Sequence, residues 1–242
     1  EETKYGSSHP ALAKTLFQIS QIYLQNADVK LATVYLDRSY KVAKKAYGQS
    51  HPMIAKILSS QGWVKENLGD YKAAEDLYLL SIKLWDGLPG VEPWQVYNNL
   101  GALYLNAENF DLSEYYFKKA LSINLEVFGE KNPNNITLLC NLAYLSYVNG
   151  DRLTSLDYFR DAADIMRNRI NNLADYNVGI LSERQSEKQN FVLYAELALE
   201  FYADTGLPEY LNEAFEATQL IQVTKAGEAL KSSSKIFKLR DK

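Results

Sequence analysis

One short phrase recurs along this chain at a nearly fixed interval, and that recurrence restricts the fold more than any other feature. Tyr5-Gly6-Ser7-Ser8-His9-Pro10 returns as Tyr47-Gly48-Gln49-Ser50-His51-Pro52, a step of 42 residues from proline to proline (52 − 10). It returns again as Phe128-Gly129-Glu130-Lys131-Asn132-Pro133. A period of roughly 40 residues belongs to arrays of helical hairpins. Each part of the phrase suits a joint between helices. The glycine adopts the left-handed conformation that ends one helix, and proline is tolerated in the first turn of the next. A looser joint, Asp86 to Pro93 with Gly87 and Pro89-Gly90, predicts a longer connection.

The stretch between joints is clearest from Tyr97 to Ile123. Leu100, Leu103 and Tyr104 fall at helical spacing and mark one face of a first helix. Gly101 and Ala102 beside them leave room for another helix. Glu108-Asn109-Phe110-Asp111 interrupts the pattern, and Tyr116, Phe117, Ala120 and Leu121 mark the inner face of a second helix. The same plan predicts repeats over Pro10–Tyr47, Pro52–Asp86 and Pro133–Asn172. Their small packing residues are Ser20 and Ala32, Gly62 and Ala74, Gly101 and Ser113, and Ala143 and Ser155. The turns Asn26-Ala27-Asp28, Leu68-Gly69-Asp70, Asn109-Phe110-Asp111 and Asn149-Gly150-Asp151 each offer an aspartate to cap the second helix. One hairpin cannot cover its own apolar face, so neighbours must stack on it.

Residues 1–172 are therefore expected to hold four repeats, and 173–242 a connecting segment with a degenerate fifth hairpin. Tyr5-Gly6 reads as the end of an earlier helix, which suggests an array truncated at its N-terminus. Asn171 to Ser186 is polar and reads as a connection. Phe191, Tyr194, Ala195, Leu197, Ala198 and Phe201 predict one helix, and Leu211, Ala214, Phe215, Thr218, Leu220 and Ile221 another. The residues from Lys231-Ser232-Ser233-Ser234-Lys235 onward read as a frayed end. The predicted fold is all-α: a right-handed superhelical solenoid of antiparallel helix pairs.

Several function classes find no support. With 47% hydrophobic and 23% charged residues the chain is not of disordered composition, and a net charge of −4 lacks the basic stripe of a nucleic-acid binder. No apolar run reaches the ~18 residues of a membrane span. The single cysteine, Cys140, fits a reducing compartment, so the expected location is cytoplasmic. His9 and His51 occupy the same slot before proline, where a structural role is favoured over catalysis. Cys140 lies among Leu138, Leu139 and Leu142, apart from both histidines, as a packing or groove residue rather than half of a nucleophilic pair. Two histidines and one cysteine give no metal cluster, and the glycines sit at turns and helix contacts rather than in a phosphate-binding loop. No catalytic constellation, cofactor or metal is expected.

What remains is surface. In stacked helix pairs the first helices line the concave side. From repeat one these helices place Lys14, Gln18, Gln21 and Gln25 there; from repeat two Lys56, Ser59, Ser60, Trp63 and Asn67; from repeat three Gln95, Asn98, Asn99 and Asn106; and from repeat four Thr137, Asn141, Tyr144 and Tyr147. Amide side chains both donate and accept, matching the backbone of an extended peptide. Trp and Tyr add rigid apolar anchors. A concave face is polar whether or not it binds, but this composition favours a peptide groove over an inert or intramolecular face. The candidate site is Gln18, Gln21, Ser60, Trp63, Asn67, Asn98, Asn99, Asn106, Asn141 and Tyr144.

The repeats resemble the tetratricopeptide type found in kinesin light chains, with its G-x-x-HP joint and NNLG-x-LY first helix. Asn98, Asn99, Leu100 and Gly101 match that helix, and Asn141, Leu142 and Ala143 match it in part. The resemblance implies peptide contacts for Asn98, Asn99 and Asn141. Phe17-Gln18 and Ser59-Ser60 depart from the pattern, so no peptide specificity carries over. The C-terminal part, Leu181-Ser182-Glu183-Arg184 and Ala226-Gly227-Glu228-Ala229-Leu230, is similar to the region preceding a CHAT domain, a caspase-like His/Cys protease. That likeness implies a second reading, in which the chain is the sensing region of a protease lying beyond Lys242. The expected partner is a protein or peptide, or a downstream domain of the same polypeptide, with no nucleic acid and no membrane.

Overall fold

A computed structural model describes residues 9–86, 93–173 and 185–222. The first joint through Ser8, most of the Asp86–Pro93 joint, Leu181–Arg184, Ala226–Leu230 and the Lys231–Lys235 tail lie outside the described residues. Ten helices run through the described residues, without a strand. They are α1 (Pro10–Gln25), α2 (Val29–Tyr47), α3 (Pro52–Asn67), α4 (Tyr71–Asp86), α5 (Trp94–Asn106), α6 (Phe110–Phe128), α7 (Asn134–Val148), α8 (Arg152–Leu173), α9 (Gln185–Thr205) and α10 (208–222). The helices form antiparallel pairs, α1/α2 through α7/α8. The chain divides into two compact units between Ala120 and Leu121, within α6.

The joints work through the residue before each proline. His9 Nδ1 accepts the Ala11 N–H at 3.2 Å, His51 Nδ1 the Met53 N–H at 3.1 Å, and Asn132 Oδ1 the Asn134 N–H at 2.9 Å. Gly48 and Gly129 end the preceding helices at φ +80° and +81°. The turns inside each pair repeat as closely. Ala27, Gly69, Glu108 and Gly150 all take positive φ. The next residue, Asp28, Asp70, Asn109 or Asp151, returns its N–H to a carbonyl five residues back, closing a Schellman-type end. Asp28, Asp70 and Asp151 then cap the following helix through Leu31, Ala73 and Thr154.

The third turn corrects the sequence reading. Its cap is Asn109, which accepts the Leu112 N–H at 3.3 Å, while Phe110 and Asp111 already belong to the first turn of α6. The turn, Ala107-Glu108-Asn109, lies two residues earlier than expected because Glu108 fills the left-handed position that glycine holds in the second and fourth turns.

In the first unit all the small residues named from the pattern are buried. A Cβ on Gly62 would sit 2.7 Å from Tyr78, and one on Gly101 2.5 Å from Phe117, so an aromatic of the second helix lies directly on the glycine of the first. The Ser113 hydroxyl donates to the Gly101 carbonyl at 2.8 Å. Two more serines pin their pairs: Ser39 donates to the Ala13 carbonyl and Ser81 to the Ala55 carbonyl, both at 2.8 Å and both fully buried.

In the second unit one core joins α7, α8, α9 and α10, with Cys140, Phe159, Met166, Phe191, Tyr194, Ala214 and Leu220 buried together. Phe159 and Tyr194 stack at 5.6 Å. Three arginines of α8 fasten the fifth hairpin at its edge. Arg152 reaches Glu200 and Asp204, Arg160 grips Glu213 through Nε and Nη2, and Arg167 pairs with Glu216. The face of α9 is the one predicted. The face of α10 is predicted in part: Ala214 and Leu220 are buried and Ile221 packs against the core, joined by the unpredicted Ala217, while Leu211 and Phe215 are 44% and 63% exposed and Thr218 is exposed. The polar connection expected from Asn171 to Ser186 is shortened at both ends, since α8 continues to Leu173 and α9 begins at Gln185.

Candidate binding cleft

In the first unit, the first helices of three successive repeats meet at a cleft of about 350 Å³. Gln21, Leu24 and Gln25 of α1, Ser59, Ser60 and Trp63 of α3, and Asn99 of α5 line it. None of these side chains is charged. The lining thus offers amides and hydroxyls for hydrogen bonding, with Leu24 and the Trp63 indole as apolar surface. Gln21 Nε2 donates to Ser60 Oγ at 3.1 Å, which sets two of the polar groups before anything binds.

Four of the ten predicted residues, Gln21, Ser60, Trp63 and Asn99, come together here. Leu24 was not expected, although it stands three residues after Gln21 and so shares its helical face. Gln18 is exposed on α1 and Asn98 half-buried on α5, neither in the cleft lining. Asn67 turns back on its own helix, donating to the Trp63 carbonyl at 2.8 Å. Asn106 hydrogen-bonds the Glu66 carboxyl, so it ties α5 to α3. Asn141 and Tyr144 stand on α7 in the second unit, Asn141 half-buried and Tyr144 45% exposed.

Trp63 has a second role that the sequence did not suggest. It packs against both apolar clusters of the first unit, the one around Ile54 and Ile57 and the one around Tyr78 and Leu100. Further along α3, burial holds the Glu66 carboxyl above its ordinary range, opposed by hydrogen bonds from the Tyr78 hydroxyl, at 2.9 Å, and from Asn106. Glu75 is held below the ordinary carboxylate range by hydrogen bonds from Tyr104 and Lys72. These acids work as ties between helices. Among the described residues, no group of three or more His, Cys, Asp or Glu side chains could hold a metal ion, and no helix is long and apolar enough to cross a membrane.

Comparison with known proteins agrees with this architecture. Residues 95–168 match the tetratricopeptide repeat family model. The clustered mitochondria protein homolog of Coccidioides immitis is 23% identical over 172 residues, covering 70% of this chain and 13% of its own length. That of Emericella nidulans is 25% identical over 176 residues, covering 70% and 14%. The chain thus spans about an eighth of these curated relatives. Among solved structures, BtubC (BKLC) from P. vanneervenii superposes with a TM-score of 0.65 at 16% identity, over 92% of this chain and 82% of that one. A putative kinesin light chain from Podospora anserina with nearly identical TPR-like repeats gives 0.59 at 15% identity, over 93% and 98%. At these identities the likeness shows the fold.

Proposed function

We propose that this chain of tetratricopeptide repeats is a protein-interaction scaffold whose first helices hold an extended peptide segment of a partner. Stacked repeats present extended surfaces suited to binding. One observation supports the finer reading most: α1, α3 and α5 bring Gln21, Ser60, Trp63 and Asn99 to one uncharged cleft. An extended segment leaves its backbone N–H and C=O groups in need of partners, and amide and hydroxyl side chains supply both kinds. The indole and Leu24 then take an apolar side chain. The absence of charge in the lining argues for an occupant that is itself uncharged where it lies in the cleft, because a charge placed there would lose water without a counter-charge.

Selection of short random peptides against the whole chain tests this. The enriched peptides should bind through the cleft, so that Asn99→Ala weakens them by about 0.5–1.5 kcal/mol without loss of helicity. Enriched peptides that bind Asn99→Ala and Ser60→Ala as they bind the parent would place the binding surface elsewhere.

A further inference from the structure

The second unit carries another cleft, of different chemistry and a volume of about 500 Å³. Leu121 and Leu125 of α6, Leu139 of α7, and Tyr158 and Ile165 of α8 form its apolar wall. Its rim is acidic. Asp161 and Asp164 come from α8 and Glu130 from the α6–α7 joint, with Lys131 the one cation of the lining. Along α8, Asp157, Asp161 and Asp164 lie on one stripe at i, i+4 and i+7. Asp157 pairs with Arg160 and Asp164 with Arg167, arginines also engaged by Glu213 and Glu216 of α10. Asp161, between them, makes no ion pair among the described residues. Partial desolvation and the like charges of Asp164 and Asp157 push its carboxyl above the ordinary range, the behaviour of an acid that lacks a cation.

The lip of this cleft is fixed in advance. The Asn135 amide, which lines it, donates to the carbonyls of Gly129 and Glu130 at 3.0 and 2.9 Å. Its Oδ1 accepts from the fully buried Asn124 at 2.6 Å. These bonds hold the Glu130-Lys131 backbone in place without any ligand, which lowers the ordering cost of binding.

We infer that this cleft receives an arginine-bearing, otherwise apolar segment of a partner protein, its aliphatic side chains against Leu121, Leu125 and Ile165 and its guanidinium at Asp161. Charge complementarity selects a cation, since the acids of the rim outnumber Lys131. The shape of the site selects arginine over lysine. The guanidinium is flat, more weakly hydrated than an ammonium and stacks on aromatic faces such as Tyr158, and its fork engages a carboxylate with two parallel bonds.

The test uses the whole chain, titrated by fluorescence polarisation with a labelled peptide that sets one arginine among leucines. A twin peptide carries uncharged citrulline in the arginine's place. The arginine peptide should bind about tenfold more tightly than its twin. Asp161→Asn, whose side chain is exposed and whose helicity is checked by circular dichroism, should abolish that difference. Asn99→Ala, in the other cleft, should preserve it. Absence of saturable binding, equal affinities of the two peptides for the parent, or an undiminished preference in Asp161→Asn would overturn the inference. So would a preference lost in Asn99→Ala but kept in Asp161→Asn, which would move the peptide to the first unit and leave the peptide-groove reading standing.

Discussion

Proline has no N–H, so a cap placed just before it must reach the amide one position further on. His9, His51 and Asn132 all do this, with His51 also stacked on Tyr47 at a centroid distance of 3.9 Å. His51→Ala should therefore cost about 0.5–2 kcal/mol. His51→Asn should recover most of it, because Asn132 already makes the same bond at its own joint. Unfolding curves that place the asparagine variant with the alanine one would show that stacking, not capping, is what the histidine contributes. Glu108 gives a prediction of opposite sign. It holds φ +56° where the equivalent Gly69 and Gly150 meet no steric penalty, so Glu108→Gly should stabilise the third repeat by roughly 0.5–1 kcal/mol. A lowered melting temperature would contradict this. Glu66 adds a pH dependence. Its folded pKa is raised, so the native state holds the proton more tightly than the unfolded chain. Its contribution is present below the ordinary carboxylate pKa and is lost as pH rises through the folded value. Glu66→Gln, which keeps an acceptor for Tyr78, should flatten that fall, and identical pH profiles of stability would refute the assignment. The histidine slots were legible because they recur with the period. The conformation of Glu108 was not, because no glycine marks it.

At the level of single helices, fit is decided by how closely two backbones approach. Gly101 lies under Phe117, and a Cβ there would already sit 2.5 Å from the ring. Gly101→Leu should thus destabilise by at least the ~1–3 kcal/mol typical of overpacking, and by more than Asn98→Leu, whose side chain is only half-buried. Equal melting temperatures for the two variants would mean that the faces of α5 are misassigned. Glycine and alanine at these contacts could be read from the sequence, since the large-small pattern repeats four times. Ser39 and Ser81 were missed, although they too lie one 42-residue period apart (81 − 39) and make equivalent bonds. Their signal was overlooked because the small residue already named in each second helix, Ala32 and Ala74, lies seven residues before them. α10 shows the opposite failure. A helical stripe of Leu211, Phe215 and Thr218 looks like part of a core face, yet it is exposed, and the core takes Ala214 and Leu220 from the predicted face together with Ala217. The arginines of α8 that hold this hairpin have no periodic signature either. Arg160 is well placed by its fork on Glu213. Arg160→Ala should speed amide exchange in α9 and α10 while leaving α1–α4 unchanged, whereas uniform exchange throughout would make the pair incidental.

On the scale of the molecule, repeats interact chiefly with their neighbours, so stability and binding both accumulate locally. The all-α architecture and the register of the repeats were legible because joint, turn and small residue agree with one another in the first, second and fourth repeats, whereas the third, with its looser joint and no glycine in its turn, misled by two residues at the turn. The cleft lining was legible only in part. Polar residues on a first helix all look alike in sequence. Which of them line a cleft depends on neighbouring helices: Asn67 and Asn106 are occupied by the Trp63 carbonyl and by Glu66, while Gln21, Ser60 and Asn99 line the cleft. Trp63 is shared between surface and core, so its truncation would confound binding with stability. The most direct test of the scaffold reading is hydrogen exchange across the whole chain, with and without a peptide obtained by selection. A peptide held in the cleft should slow exchange in α1, α3 and α5 and leave α2 and α4 unaffected. Protection confined to α2 and α4, or absent from the first unit altogether, would contradict the scaffold reading.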